Sequence, residues 1–117
     1  MFPSHDRVVL ALRSPADNCY VVTNGATQAS IHAGTSLDNT WQKIVGAFAY
    51  NDVAVSLDGG TTATDTNVVL PTTSLKYLIL GNGATRATSN ELSGYLRKIA
   101  LYPARLPNAT LQAMTEV

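Results

Sequence analysis

Short runs rich in Val, Ile, Tyr and Thr recur along this chain, and Gly, Asn, Asp or Pro separates each from the next. That punctuation restricts the backbone to extended segments joined by tight bends, the pattern of an all-β sandwich or barrel with roughly seven or eight strands. Residues 7–13 and 19–23 form the first two. Asn24-Gly25 then makes a two-residue turn, because both residues tolerate positive φ, and the chain returns over residues 27–33. Residues 42–50 and 53–58 pair across Asn51-Asp52, followed by a weaker strand at 68–70, Pro71 as a separator, and a clearer strand at 77–80. In the last strand, 91–102, the apolar positions Leu92, Leu96, Ile99 and Leu101 break strict alternation, which places a β-bulge near Arg97-Lys98. Beyond Pro103 the period changes: Leu106, Ala109, Leu111 and Met114 suit one face of a short closing helix. Either Pro107 is its first residue or Asn108 caps it.

At 117 residues one domain is expected, able to bury roughly two thirds of its unfolded surface. Hydrophobic residues make up 45% and charged residues 14%, so disorder is excluded and the surface relies on Thr, Asn and Ser. Eight basic and eight acidic residues cancel, and the basic ones are scattered, which argues against nucleic acid as a partner. Cys19 is the only cysteine, so no intrachain disulfide and no cysteine-based zinc site can form; it reads as a small buried hydrophobe. The opening residues carry no signal-peptide pattern, and no run approaches the roughly 20 apolar residues that span a bilayer, so a soluble protein without a membrane segment is expected. Asn108-Ala109-Thr110 fits the glycosylation pattern, but without secretion it reads as a polar helix start.

Asp58 heads Asp-Gly-Gly, a turn signal in which the glycines accept angles that a β-carbon forbids and the carboxylate bonds nearby amides. A catalytic reading needs a second acid about 5 to 10 Å away. Asp52 is six residues distant on the same extended run, about 20 Å at about 3.3 Å per residue, so those two cannot act together. Cross-strand partners such as Asp17, Asp38, Asp65 or Glu91 stay open, but a corner is the favoured role and no enzyme is expected. His5 and His32 have no Ser, Cys or second His at a spacing that reads as a triad or a zinc site.

The order WQKIVGAFAYNDVAVSLDGG, then YLILGNG, then ELSGYLRKIALYPARLPNATLQAMT resembles the laminin-G-like, concanavalin A-like jelly roll. It is most similar to copies at the ends of phage tail fibres and tailspikes, or in phage-derived bacterial proteins. The resemblance covers residues 40–115, about two thirds of the chain. It implies an antiparallel β-sandwich of jelly-roll type with a short C-terminal helix, in which Trp41 is a core anchor followed on its strand by Ile44, Val45 and Phe48. More strands usually precede the equivalent of residues 7–13 in that family, so this chain lacks the family's opening strands and is expected to expose an edge that another chain covers. Self-association, as a homotrimer or another homo-oligomer, follows. The carboxylate-x-carboxylate strand motif of the fold's retaining glucanases is missing here.

The resemblance further implies non-catalytic recognition of cell-surface glycan by a virion component, with a structural capping, decoration or oligomerisation role as the alternative. Some laminin-G-like domains bind calcium, for which Asp17-Asn18 and Asp38-Asn39 offer hard oxygen ligands, although such pairs are more often turn chemistry and no cofactor is required. Tyr50, Tyr77 and Tyr102 sit in apolar contexts and are expected half-buried; Tyr20 and Tyr95 are expected more exposed. An exposed ring beside amides and carboxylates suits a sugar. The candidate carbohydrate-binding residues are therefore Asp17, Asn18, Tyr20, Asn24, Asn82 and Arg86, on the loops at 17–18, 24–25 and 82–86.

Overall fold

The computed structural model describes residues 6–13, 17–35, 39–72, 75, 78, 80 and 94–117. The described chain is mostly β, with six strands and one short helix. Strands β1 (Arg7–Arg13), β2 (Asp17–Asn24) and β3 (Ala26–Ile31) form one antiparallel sheet in that order. Strands β4 (Ile44–Ala49), β5 (Asp52–Leu57) and β6 (Ala63–Asp65) form a second. Helix α1 (Asn108–Met114) follows.

The first sheet is built from two close returns. β1 pairs with β2 over its whole length, from Arg7 opposite Thr23 to Arg13 opposite Asp17. Gly25, at φ 69°, reverses the chain so tightly that Asn24 faces Ala26. The bulge expected near Arg97-Lys98 lies instead in this hairpin, between Val22 and Thr23, where the register shifts to accommodate the short turn.

β5 is the centre of the molecule. Its sequence DVAVSL does not alternate apolar with polar, and every residue from Val53 to Leu57 is buried. A strand covered on both faces has this composition. Val53, Val55 and Leu57 join Tyr20, Val22, Ala29 and Val68 in a core between the two sheets. Ala54, with Ala47, packs under Leu111 of α1 on the opposite face. Each fully buried Val or Leu contributes about 2 kcal/mol of hydrophobic stabilisation. Gly46 of β4 lets the sheets approach, since a β-carbon there would lie 2.8 Å from the Tyr20 ring.

Several expectations are corrected. Residues 68–70 form no strand, because the Val68 amide donates to the Asn51 side chain and its carbonyl accepts from the Asn51 amide, which ties Val68 to a turn instead of a ladder. The third strand of that sheet is β6. Residues 94–102 have no regular structure; the other expected part, 91–93, lies outside the described residues. Of the strand expected at 77–80, Tyr77 and Ile79 lie outside them, and Leu78 and Leu80 are exposed and irregular. Trp41 is 52% exposed because β4 begins only at Ile44; Phe48 and Tyr102 are also exposed. Neither expected cap for α1 occurs: Pro107 itself is the N-cap, its carbonyl accepting the Leu111 amide, and Asn108 is the first helical residue.

Candidate functional site

Two regions gather polar side chains. The first is the corner after β5. Asp58 and Gly59 both adopt positive φ, 47° and 72°, which suits a short polar side chain followed by glycine. The Asp58 carboxylate accepts from the Lys43 amide at 2.7 Å and from the Gln42 side-chain amide at 3.0 Å, while its own amide donates to the Lys43 carbonyl. Asp58 therefore turns the chain and clamps the approach to β4. The corner also docks the C-terminal helix. Thr115 Oγ1 accepts from the Gly59 amide at 3.0 Å and lies 3.2 Å from Ser56 Oγ, and the Gln112 side chain donates to the Gly59 carbonyl.

The second region lies at the opposite end of β5. Tyr50 and Asn51 form the two-residue loop between β4 and β5, with Ala49 opposite Asp52, so Asp52 opens β5 rather than sharing the turn. Arg105 reaches this point from the segment before α1. Its Nη2 donates to Asp52 Oδ1 at 2.9 Å and to Asn108 Oδ1 at 2.5 Å, and its Nη1 donates to the Leu106 carbonyl. The Arg105 side chain is only 12% exposed, while that of Asp52 is half exposed, so solvent screens the pair and its net contribution is modest. Arg105 Nε is buried and has no partner among the described residues. Beside Arg105 a cleft of about 180 Å3 runs between residues 45–48 of β4 and residues 100–106, with Leu111 at its base. Tyr50, 66% exposed, stands at the loop.

Of the six candidate residues, the structure describes the side chains of two, Tyr20 and Asn24. Tyr20 is 2% exposed and lies in the core between the sheets; its expected exposure is wrong because alternation along β2 directs it inward with Val22. Burial pushes the Tyr20 phenol far above its ordinary pKa, and the Arg105 charge pulls it the other way. Asn24 spends its amide on the Leu70 carbonyl at 3.2 Å. Asp17 and Asn18 belong to β2, opposite Arg13 and Leu12, and not to a loop. Their side chains and that of Cys19 lie outside what the structure describes, as do Asn82, Arg86 and the expected calcium ligand Asp38.

Acidic side chains that are described act singly: Asp6 accepts from the Gly25 amide, Asp65 from the Asn67 amide, Asp52 from Arg105, and Asp58 from the strand entry. Tyr50 and Tyr102 are more exposed than their apolar neighbours suggested, and Tyr95, at 88%, is as open as expected. Sequence reasoning missed Arg105, whose partner Asp52 is 53 positions away. A lone arginine inside LYPARLP was the available signal. No described helix is long and apolar enough to cross a membrane. Compared with protein families, curated proteins and solved structures, the chain matches none.

Proposed function

We propose that this chain is a non-catalytic structural module of a fibre or particle surface, built on a jelly-roll β-sandwich, that assembles with copies of itself. The observation that carries this reading is the apolar stretch at 94–102, whose Tyr95, Leu96, Ile99, Leu101 and Tyr102 stand outside both hydrophobic clusters. Exposed apolar surface on that scale marks an interaction site. Two of the six residues that would recognise sugar, Tyr20 and Asn24, are spent on the fold. The setting, a phage tail fibre, tailspike or related virion component, rests on the resemblance of residues 40–115.

Glycan recognition is the second reading, and Tyr50 favours it. Its exposed ring sits in the loop that leads into Asp52, which Arg105 joins to Asn108, so an apolar face and hydrogen-bonding groups occur at one end of β5. Light scattering across a range of concentrations tests the first reading, and the expected mass is a multiple of 12.4 kDa. A monomer at every concentration, together with a glycan-array signal that Tyr50→Ala abolishes, would transfer the assignment to sugar binding.

A further inference from the structure

Among the described residues, two bends carry the same reactive pair. Asn24-Gly25 joins β2 to β3, and Asp58-Gly59 follows β5. In each, a side-chain carbonyl carbon stands one peptide link from a glycine nitrogen that no β-carbon shields. Ring closure is the chemistry such a pair invites. The glycine nitrogen gives up its proton and bonds to Cγ of the preceding side chain, the bond from Cγ to its leaving group breaks, and a five-membered succinimide results. The proton departs with the leaving group, as ammonia from asparagine or as water from the protonated form of aspartate. A water molecule then opens the ring at either carbonyl, giving aspartate or isoaspartate.

Both glycine amides are held by a side-chain oxygen from a remote part of the chain. The Gly25 amide donates to Asp6 Oδ1 at 2.8 Å, 19 positions away, and the Gly59 amide donates to Thr115 Oγ1 at 3.0 Å, 56 positions away. The side chains open to attack are engaged too. Asn24 Nδ2 donates to the Leu70 carbonyl at 3.2 Å, and the Asp58 carboxylate accepts from the Lys43 amide and the Gln42 side chain. Strand register explains the first lock, since Arg7 faces Thr23 and Asp6 is therefore the next residue along, level with the corner. Closure needs the nitrogen and Cγ within about 3–3.5 Å and in line. To reach that geometry, both reactants must first give up bonds they hold.

We propose that Asp6 and Thr115 guard two latent modification sites, keeping Asn24 from deamidation and Asp58 from isomerisation while the chain is folded. The product at either site undoes its own lock. Aspartate at position 24 takes the donor from the Leu70 carbonyl and sets a second carboxylate near Asp6. Isoaspartate at position 58 adds a methylene to the backbone of the corner that seats α1 on β5.

Peptide mapping by mass spectrometry after timed incubation tests the proposal, and it separates residue 24 from Asn82-Gly83, the chain's other Asn-Gly pair. At neutral pH the native chain is expected to convert at residue 24 more slowly than the urea-unfolded chain by about tenfold or more. Asp6→Ala, with a native circular dichroism spectrum, is expected to convert about tenfold faster than the native chain, the factor for losing one hydrogen bond to a charged group. Asp6→Asn, which keeps an oxygen acceptor, is expected to stay closer to the native rate. In mildly acidic buffer, Thr115→Val is expected to raise isoaspartate at residue 58 and leave residue 24 unchanged, which separates a lost local lock from general unfolding. A native chain that converts at residue 24 as fast as the unfolded one overturns the proposal, and that comparison needs no variant to fold. A folded Asp6→Ala chain that converts no faster also overturns it; a slower rate would make Asp6 the base that activates the Gly25 amide. If residue 58 keeps its native rate in Thr115→Val, the guard assigned to Thr115 is wrong.

Discussion

The Tyr20 phenol must stay protonated to remain where it is. Its ring lies between the sheets against Gly46, and burial raises its pKa far above 10.0, the value it regains when the chain unfolds. For a group whose folded pKa is raised, the stabilisation is complete below the unfolded value and is lost as pH climbs past it. Stability is therefore expected to fall above about pH 10 by about 1.4 kcal/mol per pH unit from this residue alone. Urea unfolding of the native chain and of Tyr20→Phe across that range checks it, because the difference between the two curves isolates the phenol. Single residues were unevenly legible in the sequence. Asp58 was readable as a corner because its chemistry is local: its angles, its glycine neighbour and the nearby amides all lie within a short stretch. Tyr20 was not, because whether a tyrosine in a short strand faces in or out depends on which sheet packs over it.

At the scale of elements, strands whose partners are adjacent in sequence were legible. β1 has the expected bounds, the β2–β3 and β4–β5 hairpins form, and α1 follows where its apolar spacing placed it, but the turns shift: Gly25 alone separates Asn24 from Ala26, and Tyr50-Asn51 takes the place of Asn51-Asp52. What failed depended on distant partners. Val68 looks like strand but gives its backbone to Asn51, 17 positions away, and residues 94–102 lack a described strand to pair with. The helix shows the same long-range logic, since its seat is Thr115 on the β5 corner. Thr115→Val should destabilise the fold by about 2–3 kcal/mol, because it strips an acceptor from the Gly59 amide and the neighbour of Ser56 Oγ inside a buried contact. Thr115→Ser, which keeps the hydroxyl, should cost less. Denaturation midpoints separate the pair, and hydrogen exchange at α1 should quicken in the valine variant alone.

At the scale of the whole molecule, the described residues form three layers about one strand: a sheet, a second sheet, and a helix, with β5 in contact with both neighbours. Assembly of the kind proposed would make stability a property of concentration as well as sequence. If copies cover one another, the thermal midpoint should rise with protein concentration, and Leu101→Lys should lower it and make it independent of concentration. Differential scanning calorimetry at several concentrations checks both. The burial of β5 on two sides also has a bearing on how the chain is made. Residues 8–33 can cover one face of β5 as soon as it leaves the ribosome, but the other face waits for Leu111 and Thr115, made more than 50 residues later. Translation therefore delivers a half-clad strand before it delivers the cladding, and β5 cannot be covered on both faces until residue 115 has been made.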